Sequence, residues 1–318
     1  MKKRILAAVD LGFDQGWERR ARQTIDQALW LAKALGLGVD LVHISDAVSP
    51  GASQKGALAL LSRFVDDQKS RFKRLVGEHP GVSVTPLFMK GDAVTKLIQL
   101  SSKRTQYECL VLSTHGRTGF ARMLLGSVAE EVIRNSKIPV VCIGAGAQAE
   151  SALNPERSPQ KQNVKPLLFV ASDLGVNSRK SEKTALEWAS KLKADGVLFH
   201  SLREALHPVI QTAYAAGPGS MDVESLIAPH RERARKALDL RAKAWSRKKL
   251  RCQVILDEKH ASAESGILEA IRETQQSRSV TFAFLGTHGR NLAARAFLGS
   301  TAREVVLGGP IPVVTVKS

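Results

Sequence analysis

The chain has 318 residues, 43% of them hydrophobic and 24% charged, with a formal net charge of +17. That length suffices for two ordinary domains with separate cores, and that balance excludes a disordered or collagen-like chain. No apolar run approaches the roughly 18–20 residues of a membrane span. Three scattered cysteines, Cys109, Cys142 and Cys252, form neither a disulfide framework nor a zinc motif, so a soluble protein of a reducing, cytoplasmic compartment is expected.

The opening MKKRILAAVDLG imitates a signal peptide, but its apolar run stops at Asp10 and no cleavage site follows. ILAAV at 5–9 is instead predicted as the first strand. TIDQALWLAKALG at 24–36 repeats apolar residues at i, i+3, i+4 and i+7 and is predicted as an amphipathic helix. DLVHI at 40–44 predicts strand two, ALALLSRFVDDQKSRFKRLV at 57–76 a second helix and VTPLFM at 84–89 strand three. CLVLS at 109–113 and IPVVCI at 138–143 complete the set. Near-continuous apolar strands alternating with helices imply a parallel sheet covered on both faces, with ligands at the carboxyl ends of its strands.

The same order then recurs. ILAAVDLG at 5–12 returns as LLFVASDLG at 167–175, DLVHI as VLFHS at 197–201, and GSVAEEVIRNSKIPVVCI at 126–143 as GSTAREVVLGGPIPVVTV at 299–316. ALEWASKLKADG at 185–196 is the second copy's first predicted helix. The expected division is a first domain at 1–146, a Gly-, Ser- and Pro-rich linker at 147–164 and a second domain at 165–318. The near-identical last strands are expected to pair antiparallel, making an intrachain pseudo-dimer of the two halves.

LSTHGRTGFARMLLGS at 112–127 and LGTHGRNLAARAFLGS at 285–300 carry the chemistry. Glycine at 286 and 289 permits positive φ and close backbone approach, while a helix beginning at Gly299-Ser300 aims free N–H groups and its positive dipole end at the same place. The spacing matches neither a Walker A loop nor a Gly-x-Gly-x-x-Gly turn. Two matching loops, each with an aspartate ending strand one, point to a nucleotide pocket.

These motifs, with the early Asp-Leu-Gly and the closing IPVVTV, make both halves resemble the universal stress protein family in its tandem form. The resemblance implies two Rossmann-like α/β domains, each a five-stranded parallel sheet with helices on both faces. It also implies ATP, with Mg²⁺ as an option, as the bound nucleotide. In the second copy the implied contacts are Asp173, the backbone of Ser201, Gly286, Gly289, Gly299 and Ser300. In the first copy they are Asp10, Ile44, Gly116, Gly126 and Ser127. Three departures mark the first copy as the weaker site. Ser113 replaces the first glycine, Glu130 stands where the second copy has Arg303 and is placed to close a capping box, and about six extra residues follow Asp10 as a lid or obstruction.

The chemistry expected is ATP held as a regulatory signal. No nucleophile, carboxylate cluster or metal cage accompanies His115 and His288, so no catalytic residue or protein metal site is assigned. The alternatives are a slow ATPase or nucleotidyl- or phosphotransferase using Arg290 and Arg295 as cations, and a scaffold that binds nucleic acid or acidic membrane through the basic helix at 231–251. That helix, with Ala234, Ala237, Leu238, Ala242 and Trp245 as its apolar stripe, is expected to be chiefly a solvated face. His43 and His200 are expected to be packed and hydrogen-bonded, and further homo-oligomerisation is left open.

Overall fold

The computed structural model describes residues 2–12, 16–45, 55–77, 79–114, 125–147, 165–203, 206, 222–287 and 298–317, with only the backbone for 55–64 and 223. Gly116, Gly289, His115, His288, Arg290, Arg295 and nearly all of the expected linker lie outside these residues.

In chain order the first copy comprises β1 (Arg4–Ala8), α1 (Trp17–Leu35), β2 (Gly38–Ser45), α2 (Lys55–Val76), β3 (Val84–Lys90), α3 (Ala93–Ser101), β4 (Tyr107–Ser113), α4 (Ser127–Asn135) and β5 (Val140–Ile143). The second comprises β6 (Leu167–Ala171), α5 (Arg179–Leu192), β7 (Asp195–Ser201), α6 (Val223–Arg247), β8 (Cys252–Asp257), α7 (Ala263–Ser277), β9 (Phe282–Gly286), α8 (Ser300–Gly308) and β10 (Val313–Val316). The strands lie in one sheet in the order β3-β2-β1-β4-β5-β10-β9-β6-β7-β8. Within each copy all pairings are parallel, and β5 meets β10 antiparallel with Val314 opposite Val141.

Both sheet faces are buried, which is why the strands read as unbroken apolar runs. Strand alternation divides each run between two layers. Ile5, Ala7, Cys109, Val111, Leu168 and Val170 join the core under α1, α2, α5 and α6. Leu6, Leu110, Leu112, Phe169 and Ala283 join the core under α3, α4, α7 and α8. The outer strand β3 is half-exposed and accommodates Pro86, as an edge strand can. Burial pushes the Cys142 thiol up to about 12, and Cys109 is raised as well, so these cysteines act as packed apolar groups.

The copies are also joined side by side. Trp30 of α1 packs 5.7 Å from Phe282 of β9, and Trp188 of α5 meets Phe282 edge-on at 5.8 Å. Glu108 of β4 is bridged by Lys191 of α5 at 2.5 Å and Lys3 at 3.3 Å. After β5, Gly144 and Gly146 run along the carbonyl end of α8. A Cβ on Gly144 would collide with the Val306 oxygen, and one on Gly146 would lie 2.5 Å from the Gly309 oxygen.

Two boundaries differ from the sequence expectation. Helix α1 begins at Trp17, seven residues before the predicted start, so part of the extra segment after Asp10 is helical rather than a lid; α1 has 19 residues where α5 has 14. Helix α5 ends at Leu192, because Lys193 takes the left-handed conformation (φ 53°) that Gly36 (φ 66°) takes after α1, and Asp195-Gly196 belong to β7.

Candidate nucleotide site

In each copy the strand order places β1 and β4, or β6 and β9, side by side at the point where the chain reverses direction across the sheet. Ligands of doubly wound sheets bind beyond the carboxyl ends of the strands at that point. The backbone there is built twice to the same plan. Val9 N donates to Val42 O and Ser172 N to Phe199 O, both at 2.9 Å. His43 Nδ1 lies 3.0 Å from Val9 O and His200 Nδ1 2.7 Å from Ser172 O. A carbonyl only accepts, so each Nδ1 carries a proton. Both rings are buried and fix the bend that follows strand one, as expected of packed histidines.

The glycine-serine pairs match equally well. Gly126 N donates to Thr114 O at 2.9 Å and Gly299 N to Thr287 O at 3.0 Å, which ties the end of each loop to the end of strand four. Gly126 (φ −60°, ψ 140°) and Gly299 (φ −57°, ψ 140°) are the N-caps, so Ser127 and Ser300 are the first helical residues. Neither helix start has a side-chain cap on its first N–H groups, an arrangement suited to an anion. The capping box expected from Glu130 does not form, because the N-cap is a glycine with no side chain to reciprocate.

In the first copy a cavity of about 400 Å³ opens at this point. Its walls include Asp10, Ile44, Ser113, Gly126 and Ser127, so the described candidates of that copy converge on one space. Arg20, from the early turn of α1, also lines it. The sequence pattern missed Arg20 because the predicted helix began after it. Counting back from the paired caps Gly36 and Lys193 places Asn177 at the matching position of the second copy.

In the second copy Asp173 Oδ1 accepts from Gly175 N at 2.8 Å, closing the turn after strand one. Ser201 ends β7 opposite Asp257, whereas Ile44 faces Met89 in the first copy. Asp257 is buried and receives Lys259 N and His260 Nδ1 on Oδ1. Gly286 ends β9 opposite Val316 and is not among the glycines with positive φ, so what it offers is the missing side chain and not an unusual conformation. Arg303 pairs with Glu304 at 3.7 Å.

Two long-range arginines were also missed. Arg71 of α2 donates to Gly12 O at 3.0 Å and stacks 5.1 Å over Trp17. Arg241 of α6 donates to Leu174 O at 3.0 Å and pairs with Glu182 of α5 at 2.9 Å. Each pins the segment that follows the strand-one aspartate. Their recurrence once per copy, on the helix before strand three, was the available signal.

The basic helix behaves mainly as a solvated face. Ala234, Leu238 and Trp245 are buried, while Arg231 pairs with Glu224 and Glu258, and Lys236 with Glu232. Among the described residues no helix is long and apolar enough to cross a membrane, and no group of three His, Cys, Asp or Glu could hold a metal ion.

Comparison with known proteins agrees with this geometry. The model of the universal stress protein family matches residues 1–144 and again 169–317. A universal stress protein of Methanocaldococcus jannaschii is 30% identical over 121 residues, 36% of this chain and 70% of that one. One of Bacillus subtilis is 23% identical over 154 residues, 45% of this chain and 99% of that one. Among solved structures, a universal stress protein from Archaeoglobus fulgidus superposes with a TM-score of 0.62 at 17% identity, covering 98% of this chain and 97% of its own. The chain belongs to the universal stress protein family and carries the family's unit twice.

Proposed function

We propose that this protein binds ATP as a regulatory signal, at the carboxyl ends of its strands, with the triphosphate against the glycine-serine helix starts. The observation that carries this reading is the pair of uncapped helix starts at Gly126-Ser127 and Gly299-Ser300, each tied to the end of strand four by a threonine carbonyl, with Asp10 lining the same cavity as the first of them. The donor set suits phosphate oxygens: backbone N–H groups, a serine hydroxyl and the positive end of a helix.

The second copy is the stronger site in this reading, through Asp173, Ser201, Gly286, Gly289, Gly299 and Ser300. Arg20 offsets the charge of Glu130 in the first copy, since a charge near a helix end contributes only about 0.3–1 kcal/mol. The Ser113 side chain remains against the ligand's path, at about 1–3 kcal/mol for an overpacked contact. In this reading the domains span 1–146 and 165–318 in a cytoplasmic protein, and the antiparallel β5–β10 pairing supports an internal counterpart of a dimer interface. Mg²⁺ would be carried by the nucleotide. Mass spectrometry of the nucleotide released from freshly purified protein tests the assignment: ATP or ADP is expected. A protein that releases no nucleotide and takes up no ATP in calorimetry contradicts it.

A further inference from the structure

Sequence repetition predicts two equivalent corners where β5 and β10 meet, one at each end of the seam. They differ. At one corner Gly144 and Gly146 lie directly on the α8 terminus, which ends in Gly308-Gly309. At the other corner the equivalents of Gly144 and of α8's terminal residues are Lys317 and the stretch Arg134-Asn135-Ser136-Lys137. Continuing the antiparallel register past Thr315 opposite Val140 carries Lys317 back alongside Ile138, next to Lys137.

Other elements bring more cations to this corner. Lys137 N is 3.4 Å from Ser101 Oγ, which ties it to the end of α3, where Arg104 stands in the following turn. Lys180 lies in the first turn of α5, a helix packed on β10. Burial of the ammonium, then Arg104 and Lys137, holds the Lys180 pKa below the usual lysine range. Burial, then Lys137, Lys180 and Arg134, does the same for Lys317. The charges acting most on each lysine are therefore all cations. Among the described residues, none of Arg104, Lys137, Lys180 and Lys317 pairs with a carboxylate, and Arg134 is held by Glu131. On α6, Arg231, Lys236 and Arg241 are paired with carboxylates, and the cations there that are not, such as Arg233 and Arg247, stand on one solvated helix of one copy and not where the two copies meet.

We propose that this corner, formed by Arg104, Lys137, Lys180 and Lys317 with Arg134 behind them, is a docking surface for the phosphate backbone of double-stranded nucleic acid, independent of the nucleotide pockets. The cations come from four segments of both copies and converge on one corner with no carboxylate among the charges acting on them, which suits several consecutive phosphates of a polyanion. No aromatic residue belongs to the set, so bases have nothing to stack on and recognition runs through phosphates without reading sequence. An anion docked here relieves the mutual repulsion that the fold imposes.

The test is fluorescence anisotropy with a labelled 20-base-pair duplex across 50–200 mM salt. Four phosphates neutralised give a slope of log K against log salt of about −3.6, a loss on the order of 100-fold over that range. The neutral triple variant Lys137→Gln, Lys180→Gln, Lys317→Gln is expected to lower the magnitude of the slope by about three and to retain the wild-type unfolding midpoint or exceed it. Arg233→Gln, Arg247→Gln, Lys248→Gln on α6 is expected to leave the slope unchanged. Wild-type binding in the seam variant, loss through the α6 variant instead, or seam-dependent binding to phosphatidylserine vesicles without duplex binding would each overturn the proposal.

Discussion

The two copies anchor the same bend after strand one with an arginine that is ion-paired in both, but to carboxylates of different burial. In the first, Arg71 reaches Gly12 O alongside Trp17 and pairs at 2.8 Å with the half-exposed Asp67 of its own helix, and a further cation, Arg20, lines the cavity. In the second, Arg241 reaches Leu174 O while bound to the largely buried Glu182 of the neighbouring helix, and Glu182 also receives Ser172 and Ser178 hydroxyls. At the helix starts the charges differ in sign, with Glu130 in the first copy and Arg303 in the second. One backbone plan therefore tolerates exchange of its charges, and the two sets of candidate residues are related by geometry while differing in electrostatics.

The sharpest break of this pseudo-symmetry is at the seam. Gly144→Ala drives a Cβ onto the Val306 carbonyl in the last turn of α8, where every obstructing atom is backbone and none is the end of a flexible side chain. We expect a loss of about 3 kcal/mol by denaturant unfolding, at the upper end for overpacking. The equivalent change in the second copy, Lys317→Ala, should cost nothing measurable. Equal effects would mean the two corners are alike.

The amino ends of the strands give the next largest contrast. Asp195, buried at 1% exposure, is clasped by Lys165, Arg251 and Arg278 in the second copy. Burial raises its pKa, but the hydrogen bond and charge of Lys165, the hydrogen bond from Arg278 and the Arg251 backbone N–H outweigh burial and hold it below the usual carboxylate range. Glu108, between the copies, is likewise raised by burial and lowered further by Lys191 and Lys3. A carboxylate with a depressed folded pKa stabilises above its unfolded pKa, and that stability is lost as pH falls through the folded value. Unfolding free energy should therefore decline on acidification below about pH 4–5. Asp195→Asn should cost about 2 kcal/mol at pH 7, discounted because its partners are partly exposed, and should flatten the acid limb. An acid limb identical to wild type would remove Asp195 from the account.

A smaller effect separates the two bends. Arg241→Ala frees Leu174 O and the largely buried Glu182 and should cost about 1–2 kcal/mol, whereas Arg71→Ala frees Gly12 O and the half-exposed Asp67 and should cost about 1 kcal/mol. Hydrogen exchange at Leu174 and Gly175 should rise in the first variant only. The smallest effect is at the helix caps. Lys193 occupies a left-handed position that its counterpart fills with Gly36, so Lys193→Gly should stabilise by about 0.5 kcal/mol, and a destabilised variant would contradict the equivalence.

Much of this was legible in the sequence, for identifiable reasons. A parallel strand buried on both faces must be apolar throughout, so ILAAV, CLVLS and IPVVCI announce themselves, and duplication confirms each against its twin. The site's frame was legible as well, because a helix start that approaches phosphate needs Gly-Ser at a fixed distance from strand four. The end of α5 was not, since its turn uses Lys193 where glycine is the usual sign. Arg20, Arg71 and Arg241 act across tens of residues, and the cationic corner arises only when the register of β5 on β10 is known. Local patterns fix elements, whereas these features belong to how elements meet.

The central claim, that two pockets of one plan bind ATP unequally, is tested most directly by isothermal titration of ATP into the full chain and two glycine variants. Gly126 and Gly299 have φ near −60°, which any residue adopts, so valine there obstructs a ligand without straining the backbone. The account predicts close to one equivalent of ATP at micromolar concentration, with the weaker site about 10- to 100-fold behind. Gly299→Val should abolish the tight equivalent and Gly126→Val should leave it within a few-fold. Two equivalents of equal affinity, or loss of the tight site through Gly126→Val alone, would contradict it.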